Sequence, residues 1–168
     1  MVSAVRSFGD NLDLAIAEGE GRTQFAALCY RGTPSEPEVL LVTSRDTGRW
    51  IIPKGWPATG QSPARSAERE AFEESGATGR VSERAIGLYS YVKRQESGEA
   101  VPLMVAVFAL RVEALTKNYP ERHERRRKWV RPERAARLVD EPELRALLRD
   151  LPARLAADAG DVAGRGQE

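Results

Sequence analysis

Three glutamates lie within five positions of one short segment and could together bind a metal ion. Glu70, Glu73 and Glu74 are spaced i, i+3 and i+4, so they project from one face if the segment is helical. Like charges at this spacing cost an isolated helix about 0.2–0.5 kcal/mol per pair, and Arg69 can offset only some of that repulsion. The face is therefore either a solvated acidic surface or a site for Mg²⁺, which prefers oxygen ligands such as carboxylates.

The residues around the glutamates predict a helix with definite ends. Ser62 is a favourable N-cap, Pro63 suits the first helical position, and Gly76 lies where a left-handed residue commonly ends a helix. The adjoining face consists of small side chains that allow close approach to a sheet: Ala64, Ala67 and Ala71. This helix is therefore expected to hold the glutamates against the body of the domain.

A longer pattern around this helix resembles the signature of the Nudix hydrolases. That signature begins with a glycine, which is followed by any five residues and then a glutamate. After seven further residues comes the run arginine, glutamate, aliphatic, any residue, glutamate, glutamate, any residue, glycine, aliphatic. The chain reads GWPATGQSPARSAEREAFEESGA over residues 55–77. The fixed positions that match are Gly55, Arg69, Glu70, Glu73, Glu74 and Gly76. Gln61 stands where the family usually has glutamate, so we expect altered metal affinity but retained activity.

The resemblance implies a Mg²⁺-dependent hydrolase, with Mn²⁺ as an alternative ion, and assigns roles within the signature. Glu70 and Glu74 correspond to the principal metal ligands, and Gly55 to a main-chain metal contact. Glu73 corresponds to a further ligand or to the general base, and the sequence leaves both roles open. Arg69 is expected to orient Glu73, so the implied catalytic set is Arg69, Glu70 and Glu73.

The segment LLVTSRDTGRWIIPKG, residues 40–55, resembles the branch of the family that cleaves diphosphoinositol polyphosphates and dinucleoside polyphosphates. A highly phosphorylated substrate needs several cationic contacts, although each cation taken alone could be an ordinary surface charge. The substrate contacts that the resemblance implies are Arg22, Thr43, Ser44, Arg45, Lys54, Lys93, Arg94 and Arg126. Relatives can add a later acidic residue from a loop, and Glu121 and Glu124 are the candidates.

The sequence leaves three functions open. The first is a Mg²⁺-dependent pyrophosphohydrolase that acts on dinucleoside polyphosphates or diphosphoinositol polyphosphates. The second is a Nudix hydrolase of ADP-ribose, nucleotide sugars or triphosphorylated RNA 5′ ends. The third is a non-catalytic binding domain with the Nudix fold, which the intact glutamates argue against and Gln61 weakly favours.

Several aromatic residues could either pack in the core or line a binding pocket. Trp50 and Trp129 lie in strand-like contexts, and core packing is expected for both. Trp56 lies in the loop after Gly55 and is open to either role, including stacking on a nucleobase. Tyr89 and Tyr91 alternate along one predicted strand, so they could line the pocket together.

The remaining segments predict a layered α/β or α+β domain. Apolar runs predict strands at residues 25–30, 39–43, 87–92 and 101–112, and RRKWV predicts a short edge strand. PERAARLV and EPELRALL begin with proline and acidic residues, which suits helix starts, and Pro152 is expected to kink or restart the last helix. The resemblance implies the Nudix fold, a mixed β-sheet sandwiched between α-helices.

The chain of 168 residues is long enough for one domain, and its net charge of +1 implies no general attraction to nucleic acid or membranes. We expect an N-terminal arm at residues 1–21, a catalytic domain at 22–157 and a flexible tail at 158–168. The absence of a signal-like N-terminus or a membrane-length apolar run predicts a cytoplasmic protein. Its expected partner is a small polyphosphate, and the oligomeric state is not predicted.

Two residue types occur only once in the chain. Cys29 lies in an apolar run and is predicted to pack as a small hydrophobe, so no intramolecular disulfide can form. His123 is predicted to be a surface residue because Mg²⁺ prefers oxygen ligands to nitrogen ligands.

Overall fold

The computed structural model describes residues 22–165, and the expected N-terminal arm at residues 1–21 lies outside that range. The described strands are β1 Thr23–Thr33, β2 Glu36–Thr43, β3 Trp50–Ile51, β4 Lys54–Gly55, β5 Ala77–Val81, β6 Gly87–Arg94, β7 Ala100–Leu115 and β8 Arg127–Val130. The described helices are α1 Pro63–Ser75, α2 Pro132–Leu138, α3 Pro142–Arg149 and α4 Leu151–Arg165. None of these helices is both long enough and apolar enough to span a membrane.

The centre of the sheet is a parallel pair formed by β1 and β7, and the other pairings are antiparallel. The end of β1 pairs with β2, whereas its beginning pairs with the two-residue strand β4. This division brings Lys54 and Gly55 into the sheet beside Ala26 and Phe25. The sheet therefore fixes the backbone of the loop that begins the signature.

Side chains of β1 alternate between two hydrophobic cores, one on each face of the sheet. Phe25, Ala27 and Cys29 pack with the alanines of α1, whereas Ala26 and Leu28 pack with apolar residues of the C-terminal helices. A strand buried on both faces reads as a continuous apolar run, which is what the sequence showed. The predicted fold class, a mixed sheet between helices, is confirmed, as is the burial of Cys29.

Two parts of the fold differ from the sequence-based predictions. Strand β5 was not predicted, because ATGRV contains few apolar residues and a glycine; Gly79 allows the backbone to approach the carbonyl of Arg111. Helix α4 continues to Arg165, through most of the segment that the sequence suggested as a flexible tail. Leu151 and Leu155 bury one side of this helix, and its alanine-rich sequence favours helical extension.

Candidate active site

Helix α1 positions the three glutamates as its end signals predicted. The Ser62 side chain accepts a hydrogen bond from the Arg65 N–H at 3.3 Å, and Pro63 occupies the first helical position. Gly76 ends the helix with a φ of 74°, a left-handed conformation that favours glycine. The helix buries Ala67 and Ala71 in the core, and this orientation turns Glu70, Glu73 and Glu74 toward a cleft.

Gly55 and Glu70 lie in direct contact at the floor of this cleft. A Cβ atom added to Gly55 would lie 2.3–2.6 Å from the carboxylate atoms of Glu70. Only glycine therefore leaves room for this carboxylate against the β4 backbone. The contact places a side-chain oxygen donor beside the main chain that the family resemblance implied as a metal contact.

We expect Gly55→Ala to displace the Glu70 carboxylate while the fold is retained, because the clash involves the far end of a flexible side chain. A misplacement of about 1 Å in a catalytic group can cost roughly a hundredfold in rate. Steady-state kinetics with a melting curve would measure both effects. Gly60→Ala is unsuitable as a control because its φ is positive, whereas Gly160→Ala introduces a Cβ into open space. If Gly55→Ala kept the kcat/KM of wild type, the contact between Gly55 and the Glu70 carboxylate would not be part of the active site.

Glu74 is a buried carboxylate with an unsatisfied oxygen. Its Oε1 accepts a hydrogen bond from Arg125 Nη2 at 3.3 Å, while its Oε2 is buried without a partner among the described residues. Burial raises the pKa of Glu74 to about 8, although Arg125 and Lys54 act to lower it. A buried acceptor left unsatisfied costs about 1–3 kcal/mol, and a divalent cation would offset that cost.

The other two glutamates are less buried. Burial, followed by the charge of Glu73, raises the pKa of Glu70 to about 6. Arg69 Nε donates a hydrogen bond to Glu73 Oε1 at 2.8 Å, which is the orienting contact that the sequence suggested. Among the side chains described, those of residues 22–160, no three from histidine, cysteine or acidic residues form a complete metal-binding group. The unpaired Glu74 oxygen and the Glu70 carboxylate against Gly55 nevertheless provide the hard oxygen donors that Mg²⁺ prefers.

A fourth acidic residue joins the site from the loop before β8. The Glu121 N–H donates to the Glu73 carbonyl at 3.0 Å, and the Glu121 side chain lies 3.1 Å from Arg45 and 3.4 Å from Arg125. Glu124 contacts Arg45 at 3.8 Å but does not line the cleft. Of the two later acids considered from sequence, the structure therefore places only Glu121 in the cleft.

The cleft has a volume of about 970 Å³ and gathers cations from separate loops and strands. The predicted substrate contacts that line it are Ser44, Arg45, Lys54, Lys93 and Arg94. Lys54 is half-buried, its ammonium lies 5.0 Å from the centre of the Tyr91 ring, and burial lowers its pKa. The Tyr91 hydroxyl donates to Gln24 Oε1 at 2.7 Å. One wall of the cleft is therefore cationic and fixed by polar contacts.

Three predicted substrate contacts do not line this cleft. Thr43 is buried, and its hydroxyl accepts a hydrogen bond from the Arg126 N–H at 2.9 Å, so it supports the loop before β8. The Arg126 guanidinium lies 5.5 Å from the centre of the Trp50 ring. Arg22 lines a smaller neighbouring cavity. Gln61 is exposed and also lies outside the cleft lining.

The structure assigns each of the aromatic residues considered from sequence to a core, to the cleft or to its rim. Trp50 and Trp129 are partly buried and pack against the two cores, as predicted. Tyr91 lines the cleft, whereas Tyr89 is buried in the core, so these two residues do not line the pocket together. Trp56 is exposed at the cleft rim. His123 is exposed, as predicted.

Two arginines outside the final set of predicted substrate contacts, Arg49 and Arg125, also line the cleft. Arg125 donates to the Thr43 carbonyl at 2.9 Å and to Glu74 and Glu121, and it lines the cleft. Arg49 lines the same cleft and pairs with Glu141 at 2.7 Å. Alternation along HERRRKW could have separated Arg125 from its neighbour Arg126, because successive side chains of an extended segment point in opposite directions.

Comparison with known proteins identifies the family that this chain matches. A family model described as "NUDIX domain" matches residues 22–151. The chain is 32% identical over 117 residues to human diphosphoinositol polyphosphate phosphohydrolase 3-alpha, which covers 68% of this chain and 66% of that relative. It is 31% identical over 104 residues to "Nudix hydrolase 12, mitochondrial" of Arabidopsis thaliana. That alignment covers 60% of this chain and 51% of the relative.

Solved structures show the same fold. The Ap4A hydrolase of C. elegans superposes with a TM-score of 0.56 at 23% identity, covering 79% of this chain and 97% of that chain. A MutT protein from Bacillus halodurans superposes with a TM-score of 0.56 at 21% identity, covering 77% and 81% of the two chains. The signature helix, the mixed sheet and the family match over residues 22–151 together show that this chain belongs to the Nudix family.

Proposed function

We propose that this chain is a Mg²⁺-dependent pyrophosphohydrolase that cleaves phosphoanhydride bonds of dinucleoside polyphosphates or diphosphoinositol polyphosphates. The observation that carries the proposal is that Glu70 and the buried Glu74 open into the same cleft as several cations. The carboxylates suit a divalent cation, and the cations suit the phosphates of a long substrate. Both halves of a phosphate-hydrolysing site therefore share one cavity.

The distribution of positive charge favours a long polyphosphate over a simple nucleoside triphosphate. Arg45, Lys54, Lys93 and Arg94 come from three different segments and line one cleft. A hydrogen bond to a charged group contributes about 1.5–3 kcal/mol, and each 1.4 kcal/mol is roughly tenfold in affinity. The names of the human and C. elegans relatives, a diphosphoinositol polyphosphate phosphohydrolase and an Ap4A hydrolase, are consistent with such substrates.

The proposed chemistry divides the glutamates into two roles. Glu70, Glu74 and the Gly55 backbone would hold Mg²⁺, which when bound neutralises phosphate oxygens and makes a water molecule more acidic. Glu73, held by Arg69, orients the attacking water and accepts its proton. The water oxygen bonds to phosphorus, the bridging P–O bond breaks, and the leaving phosphate departs with the electron pair. The cleft cations stabilise the charge on both phosphate products.

The alternative of a non-catalytic binding domain receives little support from Gln61. This side chain is exposed and lies outside the lining of the cleft. Its lack of charge therefore removes no carboxylate from the group formed by Glu70, Glu73 and Glu74. The three glutamates of the signature helix all line the cleft.

The test is a substrate panel with product identification. It compares diadenosine hexaphosphate, diadenosine tetraphosphate, a diphosphoinositol polyphosphate, ATP and ADP-ribose, each with Mg²⁺ and after thorough metal removal with EDTA. We expect the longer polyphosphates to exceed ATP by about tenfold or more in kcat/KM, with turnover lost in EDTA and restored by Mg²⁺. A preference for ATP or ADP-ribose would refute the substrate class, and full turnover without metal would refute the metal dependence. Tight binding without hydrolysis would favour the binding domain.

A further inference from the structure

A second cavity of about 460 Å³ adjoins the catalytic cleft, and the two share Trp56 and Lys93 as lining residues. The other residues that line it are Arg22, Gln95, Val101 and Leu103. The chemistry proposed above makes no use of its apolar surface. Its position beside the cleft nevertheless makes it accessible to the part of a substrate that lies beyond the phosphates.

The antiparallel pairing of β6 with β7 builds one wall of this cavity. Lys93 is paired with Val101, and Tyr91 with Leu103. Residues two apart along a strand share a face, so Lys93, Val101 and Leu103 lie on the same side of the hairpin. The turn that follows β6 is closed by the Gln95 N–H, which donates a backbone hydrogen bond at 2.9 Å. The hairpin therefore presents apolar, amide and cationic groups together.

Trp56 closes the cavity from the loop after β4. Its side chain is 44% exposed, and the Lys93 ammonium lies 5.9 Å from the centre of its ring. Trp56 directly follows Gly55, whose backbone lies against the Glu70 carboxylate. The exposed indole is therefore held close to the carboxylates that the proposed hydrolysis requires.

The chemistry of these residues suits a nucleobase. An indole face stacks on the π-face of any base, and such stacking is worth about 1–3 kcal/mol per base. The half-buried Val101 offers an apolar surface backed by the buried Leu103, and the Gln95 amide can both donate to and accept from a base edge. An inositol ring that carries phosphates has no aromatic face and would gain no charge-assisted contact from the indole or the two aliphatic side chains.

The geometry points to a nucleobase-binding subsite in this second cavity, with Trp56 as its stacking platform. Lys93, at the boundary of the two cavities, contacts the first phosphates attached to the nucleoside. This inference rests on the proposed function for the polyphosphate part of the substrate. Among the substrates proposed there, the subsite selects nucleotides over inositol polyphosphates.

Equilibrium binding tests the subsite without requiring hydrolysis. Isothermal titration of the full chain in EDTA compares AMP with ribose 5-phosphate, which differ only by the base. We expect wild type to bind AMP about tenfold or more tightly than ribose 5-phosphate. Trp56→Ala should abolish that difference in affinity by weakening the binding of AMP alone, and Trp56→Phe should retain most of the difference. Phe72→Ala is the matched control, since Phe72 is also exposed but lines neither cavity.

Kinetics separate this inference from the proposed function. Trp56→Ala should raise KM for diadenosine tetraphosphate about tenfold or more beyond any rise in KM for a diphosphoinositol polyphosphate. The subsite would be overturned if wild type bound AMP and ribose 5-phosphate with equal affinity, even if polyphosphates are hydrolysed. It would also be overturned if Trp56→Ala weakened the binding of both ligands equally. Trp56-dependent AMP binding by a protein that hydrolyses no polyphosphate would support the subsite and refute the proposed function.

Discussion

Replacing Glu74 with glutamine is expected to lower kcat/KM by roughly a thousandfold while the protein remains folded. The substitution keeps the size of the side chain but removes a ligand charge from the site where Mg²⁺ would neutralise the substrate. Charge stabilisation by a bound metal is worth several kcal/mol, and each 1.36 kcal/mol is tenfold in rate. Burial disfavours the charge of Glu74, and Arg125 keeps its contacts with Glu121 and the Thr43 carbonyl, so the neutral amide is not expected to unfold the protein.

Two measurements and one control make this expectation specific to the metal site. Steady-state kinetics should show the loss of rate, and melting curves with and without Mg²⁺ should show that the ion stabilises wild type more than Glu74→Gln. Glu68→Gln is the control, because Glu68 lies on the same helix and pairs with Arg65 but does not line the cleft. Equal activity in Glu74→Gln and Glu68→Gln would remove Glu74 from the proposed site.

Replacing Arg125 with alanine is expected to lower the free energy of unfolding by about 3 kcal/mol. Its guanidinium is buried and contacts the Thr43 carbonyl, Glu74 and Glu121. Removal of one partner from a buried ion pair costs about 3–5 kcal/mol because the other charge is left uncompensated. We expect the lower end of that range, since Glu74 has a pKa raised to about 8 and can take up a proton when Arg125 is absent.

Urea unfolding at pH 7 measures this loss as a lower midpoint at an unchanged m-value. Arg126→Ala is the matched control, because it removes the neighbouring arginine. The Arg126 side chain is exposed and contacts only the Trp50 ring among the aromatic residues described. An exposed cation–π contact is worth at most about 1 kcal/mol. If the two alanine variants unfold at the same urea concentration, the buried contacts of Arg125 do not stabilise the fold as argued.

The contrast between these neighbouring arginines illustrates a limit of the sequence analysis. Both lie in a run of basic residues, and the sequence-based prediction selected Arg126 as a substrate contact. The structure instead places Arg125 in the cleft, because Thr43 pairs with the backbone of Arg126 and thereby sets which side chain points inward. That pairing joins segments more than 80 residues apart, so local alternation indicates that the two side chains diverge but not which one points inward.

The sequence by itself determined the features that depend on local geometry. The cap at Ser62, the left-handed Gly76 and the three glutamates on one helical face follow from the 3.6-residue period of a helix and from the conformations that particular residues favour. The spacing of the signature also placed Gly55 in the site, and its close approach to Glu70 gives the physical reason that a glycine is needed there.

Only the tertiary structure decided the environment of those groups. The burial of Glu74, the entry of Glu121 into the cleft and the joining of Trp56 to the β6–β7 hairpin all depend on contacts between distant segments. Burial sets the cost of a charge, and neighbours set its partners, so identical residue types received different roles. Arg125 became part of the site while Arg126 remained at the surface, because the register of packed strands and loops, which the sequence pattern does not specify, fixed their directions.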